Sequence, residues 1–296
     1  MKRILPSYPA GFFGGLLTSV FLMVSVIPAS VLSVPGFASA AAKETITIGG
    51  TGCALSGIKD VAAAYRKKHP ETMITIVPSL GSSGGIKALL AGSLDLALSA
   101  RQLNSDEQAQ GAEMVQYART PFVFATNEAA LAARGFTLEQ VASLYSGETT
   151  TWPDNDSVRL IIRPEADTDT HLLKEMSPAM AKAVQKALSR EGILTAVTDQ
   201  ENAGMLEKLH GAIGTMALSQ IVSEKWALYA LPLNKVTPSA KSLANGTYPY
   251  FKSFFAVTKS GSRPAVQRFL AFLLSPEGRA ILARTEHLAP NNIRSR

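Results

Sequence analysis

Hydrophobic positions along this chain follow two alternating rhythms. Short β-branched or aromatic runs occur at residues 45–48, at Ile74, Ile76 and Val77, and at residues 121–126, 158–162 and 250–258. Most lead through a polar or Gly/Ser-rich turn into apolar residues spaced three and four apart, so the pattern predicts strands alternating with helices. Ile58, Val61, Ala62 and Tyr65 form one helix face, followed by Arg66, Lys67 and Lys68 where cations complement the helix dipole, and Pro70 stops it. Thr137 and Gln140 have capping-box spacing, and Gly147 ends that helix. Further helices are predicted over residues 171–190, broken near Pro178, over residues 202–210, and through Val266, Phe269, Leu270 and Leu273. The alternation reads as an α/β protein with largely parallel sheets.

The densest information lies at residues 79–101. Here a strand runs into the turn Gly81-Ser82-Ser83-Gly84-Gly85, then a helix face of Ile86, Leu89 and Leu90, then a second strand. Ser82 or Ser83 is expected at the N-cap. A helix opening on Ser and Gly offers unpaired N–H groups and the positive end of its dipole, which suits an anion. The same turn is also an ordinary strand-to-helix connection. Gly81, Ser83 and Gly85 spell G-x-S-x-G, the nucleophile elbow of serine hydrolases, although the elbow normally follows several strands and here follows one after position 40. Ile86 stands where a phosphate loop needs its second Gly, and Leu55 where a dinucleotide fingerprint needs its third.

Composition narrows the classes further. Lys2 and Arg3, an apolar run over residues 11–32, and Ala38-Ser39-Ala40 predict a secretory signal (residues 1–40) cleaved after Ala40, leaving an exported protein. Without that segment the net charge falls from +6 to +4, because it holds two cations and no acids. So mild a balance, with no basic stripe between aromatics, excludes nucleic acid as a partner. Cys53 is the single cysteine and reads as a packed thiol. His69, His171, His210 and His287 show no paired metal spacing and read as surface or helix-end residues. The loop around Glu165, Asp167 and Asp169 reads equally as a solvated helix start capped by Thr168 or Asp169; Pro178 spoils its fit to a calcium loop.

The succession GSSGGIKALLAGSLDLALSA, LEQVASLYSGETTTW, GAIGTMALS and VTPSAKSLANGTYPY resembles the periplasmic phosphate-binding proteins of ABC transporters, within the two-lobed periplasmic binding protein superfamily. The resemblance implies a type II-like fold: lobe 1 from residues 41–119 and 251–296, lobe 2 from residues 120–250, and hinge strands at 121–126 and 250–258. It implies a small oxyanion, phosphate favoured, bound between the lobes by a monomer that delivers it to an ABC permease. No catalytic residue, cofactor or metal is expected. The implied ligand residues are Thr51 and Gly52 after the first strand, Ser82, Ser83 and Gly84 at the second turn, Arg101, Arg163, Thr168 and Thr170. Where these binders carry an acid at the end of the second strand unit, this chain has Ala100 followed by Arg101. Their Gly-Ser-Gly-Thr anion loop is here Ala166-Asp167-Thr168-Asp169-Thr170. Alternatives are a serine hydrolase built on Ser83 and a binding-protein-like sensor without a transport role.

Overall fold

The computed structural model describes residues 44–290; the expected signal segment and its cleavage site lie outside them. The strands are β1 (Glu44–Gly50), β2 (Thr72–Ile76), β3 (Leu96–Ser99), β4 (Ala112–Thr126), β5 (Arg159–Ile162), β6 (Leu194–Thr195), β7 (Ala212–Ala217), β8 (Tyr229–Ala230) and β9 (Phe251–Lys259). They hydrogen-bond in the order β2-β1-β3-β9-β4-β7-β5-β6, with β8 beside β4. The outer groups are parallel, β1 with β2 and β3, and β5 with β6 and β7, as the strand-helix alternation predicts. The centre is antiparallel, because β9 pairs with β3 and β4, and β4 pairs with β7.

β4 is the long connecting strand. Ala112 to Pro121 lie along β9, with a register shift between Gln116 and Ala118, and Phe122 to Ala125 lie along β7. Side chains before and after that change of partner feed separate cores. Ile46, Ile48, Leu98, Tyr117, Phe254 and Phe269 belong to one, whereas Phe122, Phe124, Tyr145, Ile161, Ile213 and Tyr248 belong to the other. The two predicted aromatic runs therefore lie where the sheet passes from one core to the next.

The helices fill the faces. α1 (Gly52–Lys68) follows β1, and α2 (Gly81–Leu90) joins β2 to β3. The polar stretch after Arg101 holds a short helix, α3 (Ser105–Ala109), which Asn104 and Glu107 close in a capping box. α4 (Ala129–Arg134) and α5 (Leu138–Ser146) come next, the latter with the expected Thr137–Gln140 capping box and a left-handed Gly147. α6 (Thr168–Met176) and α7 (Pro178–Leu188) divide at Pro178 as predicted. The chain continues through α8 (Asp199–Lys208), α9 (Leu218–Glu224), α10 (Ala240–Ala244), α11 (Pro264–Leu274) and α12 (Pro276–Ala283). Among the described residues no helix is long and apolar enough to cross a membrane.

Two glycines explain how closely α2 seats. Gly50 has φ +131°, and a Cβ there would meet the Leu98 carbonyl; a Cβ on Gly85 would lie 2.6 Å from the Gly50 Cα. The helix thus rests directly on the β1 backbone, as only glycine permits.

His287 departs from the expected surface position. It is buried against Gly57 and Phe254, with Nδ1 placed to donate to the Leu282 carbonyl at 3.2 Å. Burial pushes its pKa down to about 4, against the weaker pull of the Leu282 and Thr285 contacts. The folded chain keeps this ring neutral, while the unfolded chain takes up a proton as pH falls below about 6.5. Its stabilising contribution is therefore complete above about pH 6.5 and lost as pH falls towards 4, a change of about 3 kcal/mol. Denaturant titrations at stepped pH should show a flatter acid limb for His287→Gln than for the parent; identical limbs would remove the assignment.

Candidate functional site

The change of partner along β4 sets the site. In the β4–β9 ladder Thr120 faces Lys252, and the Lys252 ammonium pairs with Asp169 of α6 where both side chains are almost fully buried. Asp169 also accepts from the Thr215 hydroxyl of β7 at 3.3 Å, and Lys252 lies 3.7 Å from the Cys53 sulfur and over the Phe122 ring. Burial pushes the Asp169 carboxyl up to about 6, outweighing the opposing pull of Lys252. Lys252 remains an ammonium, since Asp169 and its other neighbours offset the cost of burying it. Burial, with the charge of Asp199, pushes the Cys53 thiol well up, so it stays protonated and packed as expected.

Asp199, the first residue of α8, reaches across to the start of α1. Its carboxylate accepts from the Thr51 hydroxyl at 2.9 Å and from the Cys53 N–H at 3.0 Å. Burial alone would raise this carboxyl, but Lys252, Arg163 and those two hydrogen bonds hold it below the usual carboxylate range. The Cys53 N–H and the Thr51 hydroxyl at the start of α1 are thus engaged by the protein's own anion. Behind it, Arg163 donates to the Ala196 carbonyl at 3.0 Å and to Asp167 at 2.9 Å, and stands 3.7 Å from Asp199. Asp167, rather than Thr168 or Asp169, caps α6 by accepting from the Asp169 N–H.

The second turn is arranged differently. α2 opens at Gly81, with φ +67°, and Leu80 stands at the N-cap, so neither Ser82 nor Ser83 caps it, and among the described residues no side chain accepts from its first turn. Ser82 is 8% exposed; its oxygen accepts from the Ala100 N–H at 2.9 Å, leaving its own proton without an acceptor among the described residues. Ser83 is exposed and accepts from Arg101 Nε at 3.1 Å and Nη2 at 3.0 Å. Arg101 in turn forks onto Glu107, at 2.9 and 2.6 Å.

A cavity of about 150 Å³ lies among these groups, lined by Thr51, Gly81 to Gly84, Arg101, Asp167 to Asp169, Asp199 and Lys252. Of the residues expected at the ligand, it brings together Thr51, Ser82, Ser83, Gly84, Arg101 and Thr168. Gly52 is packed against the Gln200 side chain, Arg163 stands outside the lining, and Thr170 is buried with its hydroxyl on the Arg163 and Pro164 carbonyls. The loop acids separate: Asp167 and Asp169 face the cavity, whereas Glu165 is exposed and pairs with Lys174. Sequence reasoning missed Lys252 and Asp199. Lys252 had a visible signal, a lysine inside the aromatic strand YFKSFFAVT; Asp199 had none, since an acid after Thr198 looks like any acidic helix start.

For a hydrolase, Ser83 would need a histidine base at its hydroxyl; its hydrogen-bond partner is Arg101, while the His287 Nδ1 faces Leu282.

A family model described as "PBP superfamily domain" matches residues 35–277. The chain belongs to that superfamily. It is 23% identical over 252 residues to the phosphate-binding protein PstS of Borreliella burgdorferi, covering 81% of this chain and 88% of the relative. It is 22% identical to PstS of Bacillus subtilis, covering 80% and 77%. Among solved structures, one from Clostridium perfringens, described as a phosphate ABC transporter substrate-binding protein with bound phosphate, superposes with a TM-score of 0.71 at 20% identity. The match covers 83% of this chain and 99% of that one. The fold is that of the two-lobed binding proteins, as the resemblance implied.

The buried pair makes a direct expectation for stability. Lys252→Met leaves Asp169 buried without its cation and should cost about 3–5 kcal/mol, whereas Lys252→Met with Asp169→Leu should recover most of the loss. Urea denaturation of both variants tests it, and equal losses in the single and the double variant would show that the pair is not coupled.

Proposed function

We propose that this chain is an exported solute-binding protein that captures a small oxyanion, phosphate foremost, and delivers it to an ABC-type permease. In this reading residues 41–119 and 251–296 form one lobe, residues 120–250 the other, and β4 and β9 the hinge. The protein works as a monomer, without a cofactor or catalytic step. One observation carries the reading: the uncapped first turn of α2 and the unspent Ser82 proton face, across a small cavity, carboxylates that accept hydrogen. Lys252 and Arg101 bring positive charge to the lining of the same cavity. N–H and O–H donors at a helix start hold an anion, and an ionised carboxylate accepts hydrogen but gives none. Such a site favours an oxyanion that still carries a proton. Phosphate does so at neutral pH, and sulfate does not. The names of the curated relatives point to the same ligand.

Calorimetry should accordingly show phosphate bound roughly tenfold or more tightly than sulfate, because a hydrogen bond to a charged group contributes about 1.5–3 kcal/mol. Asp169→Asn should weaken phosphate by a similar factor. Since Asp169 takes up a proton at about pH 6, the preference over sulfate should narrow as pH falls through that value and widen above it. Absence of binding by either anion would remove the proposal, and a sulfate preference would show that the carboxylates do not face the ligand.

A further inference from the structure

The cavity at α2 is not closed. It shares Ser83, Arg101, Ala166 and Thr168 with a larger cavity of about 820 Å³. That volume lies within the range of about 300–1,000 Å³ in which proteins hold whole organic ligands. An inorganic tetrahedral ion would occupy only the small end. Phe122, Leu172, Met176, Tyr250, Phe251 and Phe255 line the large cavity, together with polar and charged residues such as Gln102, His171 and Glu175. Leu172, Met176, Tyr250 and Phe251 are only partly buried. Leu172 and Met176 come from α6, Phe251 from the first position of β9 and Tyr250 from the residue before it.

The charged groups fix the direction a ligand must take. Asp199 already occupies the Thr51 hydroxyl and the Cys53 N–H at the start of α1, so an oxyanion meets like charge there. It is left the α2 side, with the Ser82 proton, Lys252 and Arg101. Arg101, Ser83 and Thr168 stand where the small cavity opens into the large one. From the α2 turn, an atom that is not anchored by a donor points through that opening.

Building on the oxyanion reading above, we propose that the same site also takes a monosubstituted phosphoryl compound, a phosphonate or phosphomonoester with an apolar body. Its anionic head sits on the α2 turn and its body lies between Leu172 and Tyr250. The three phosphoryl oxygens take the donors and the Asp169 carboxylate, as inorganic phosphate does, and the fourth substituent exchanges a hydrated oxygen for contact with the aromatic wall. Burying that body adds affinity in proportion to its apolar area.

Three probes separate the parts of this proposal on the mature protein: inorganic phosphate, methylphosphonate and phenylphosphonate, compared by calorimetry. Phenylphosphonate should bind roughly tenfold tighter than methylphosphonate, which has the same head and almost no body. Leu172→Ala and Tyr250→Ala should each weaken phenylphosphonate roughly fivefold while leaving inorganic phosphate within about twofold. Phosphate binding with phenylphosphonate no tighter than methylphosphonate overturns this inference alone and leaves the oxyanion reading standing. Wall variants that weaken phosphate and phenylphosphonate equally overturn it as well, because the wall would then be supporting the fold and not the ligand's body. Failure of all three probes removes both proposals together.

Discussion

A lysine ammonium and an aspartate carboxylate buried together where β4 changes partner govern most of what surrounds them. Taking two such charges out of water costs several kcal/mol each, and their attraction offsets this only when their remaining hydrogen-bonding capacity is met. Lys252 and Asp169 meet that condition with elements from across the chain: Lys252 from β9, Asp169 from α6, Thr215 from β7, with Cys53 and Phe122 around the ammonium. A ladder slipped by one residue would turn Lys252 to the other face of the sheet and leave Asp169 alone in the interior. The pair is therefore better understood as fixing where the strands cross than as a source of net stability.

Around it the charges balance closely. Lys252 and Arg163 are set against Asp167, Asp169 and Asp199, and Arg101 sits nearby with Glu107 as its own counter-charge. A bare dianion entering this group would meet more repulsion than attraction. A partly protonated one would meet donors on the α2 side and acceptors on the α6 side. Asp169 is the sensitive member, because burial already brings its ionisation close to neutrality. Selectivity at such a site comes from what the carboxylates refuse as much as from what the donors hold.

Much of the framework was legible in the chain itself. Thr137, Gln140, Gly147 and Pro178 mark helix ends by local chemistry that acts within four residues, and the structure places those ends as expected. The two aromatic runs at residues 121–126 and 250–258 mark the strands that meet at the centre of the sheet. The caps at Ser82 and Thr168 were misassigned because α2 starts at Gly81, with a positive φ, two residues before an N-cap at Ser82 would start it, and because Asp167 takes the Asp169 N–H in the first turn of α6. The site's charge pattern was beyond reach for a different reason. Asp199 meets Thr51 and Cys53 across nearly 150 positions, and no local rule distinguishes an acid that crosses the sheet from one that faces water.

The consequence of that crossing is an asymmetry between two turns that look alike in sequence. β1 leads into α1 and β2 into α2, each through glycine and a hydroxyl residue, and each helix start presents donors to the same cavity. At one start Asp199 accepts from the Thr51 hydroxyl and the Cys53 N–H. At the other no side chain accepts among the described residues; its helix rests on bare backbone at Gly50, and its first turn lines the same cavity as Lys252. On the proposed reading, an anion is thereby confined to one side of the cavity. The side chosen is the one that opens between Arg101 and Thr168 towards the aromatic wall.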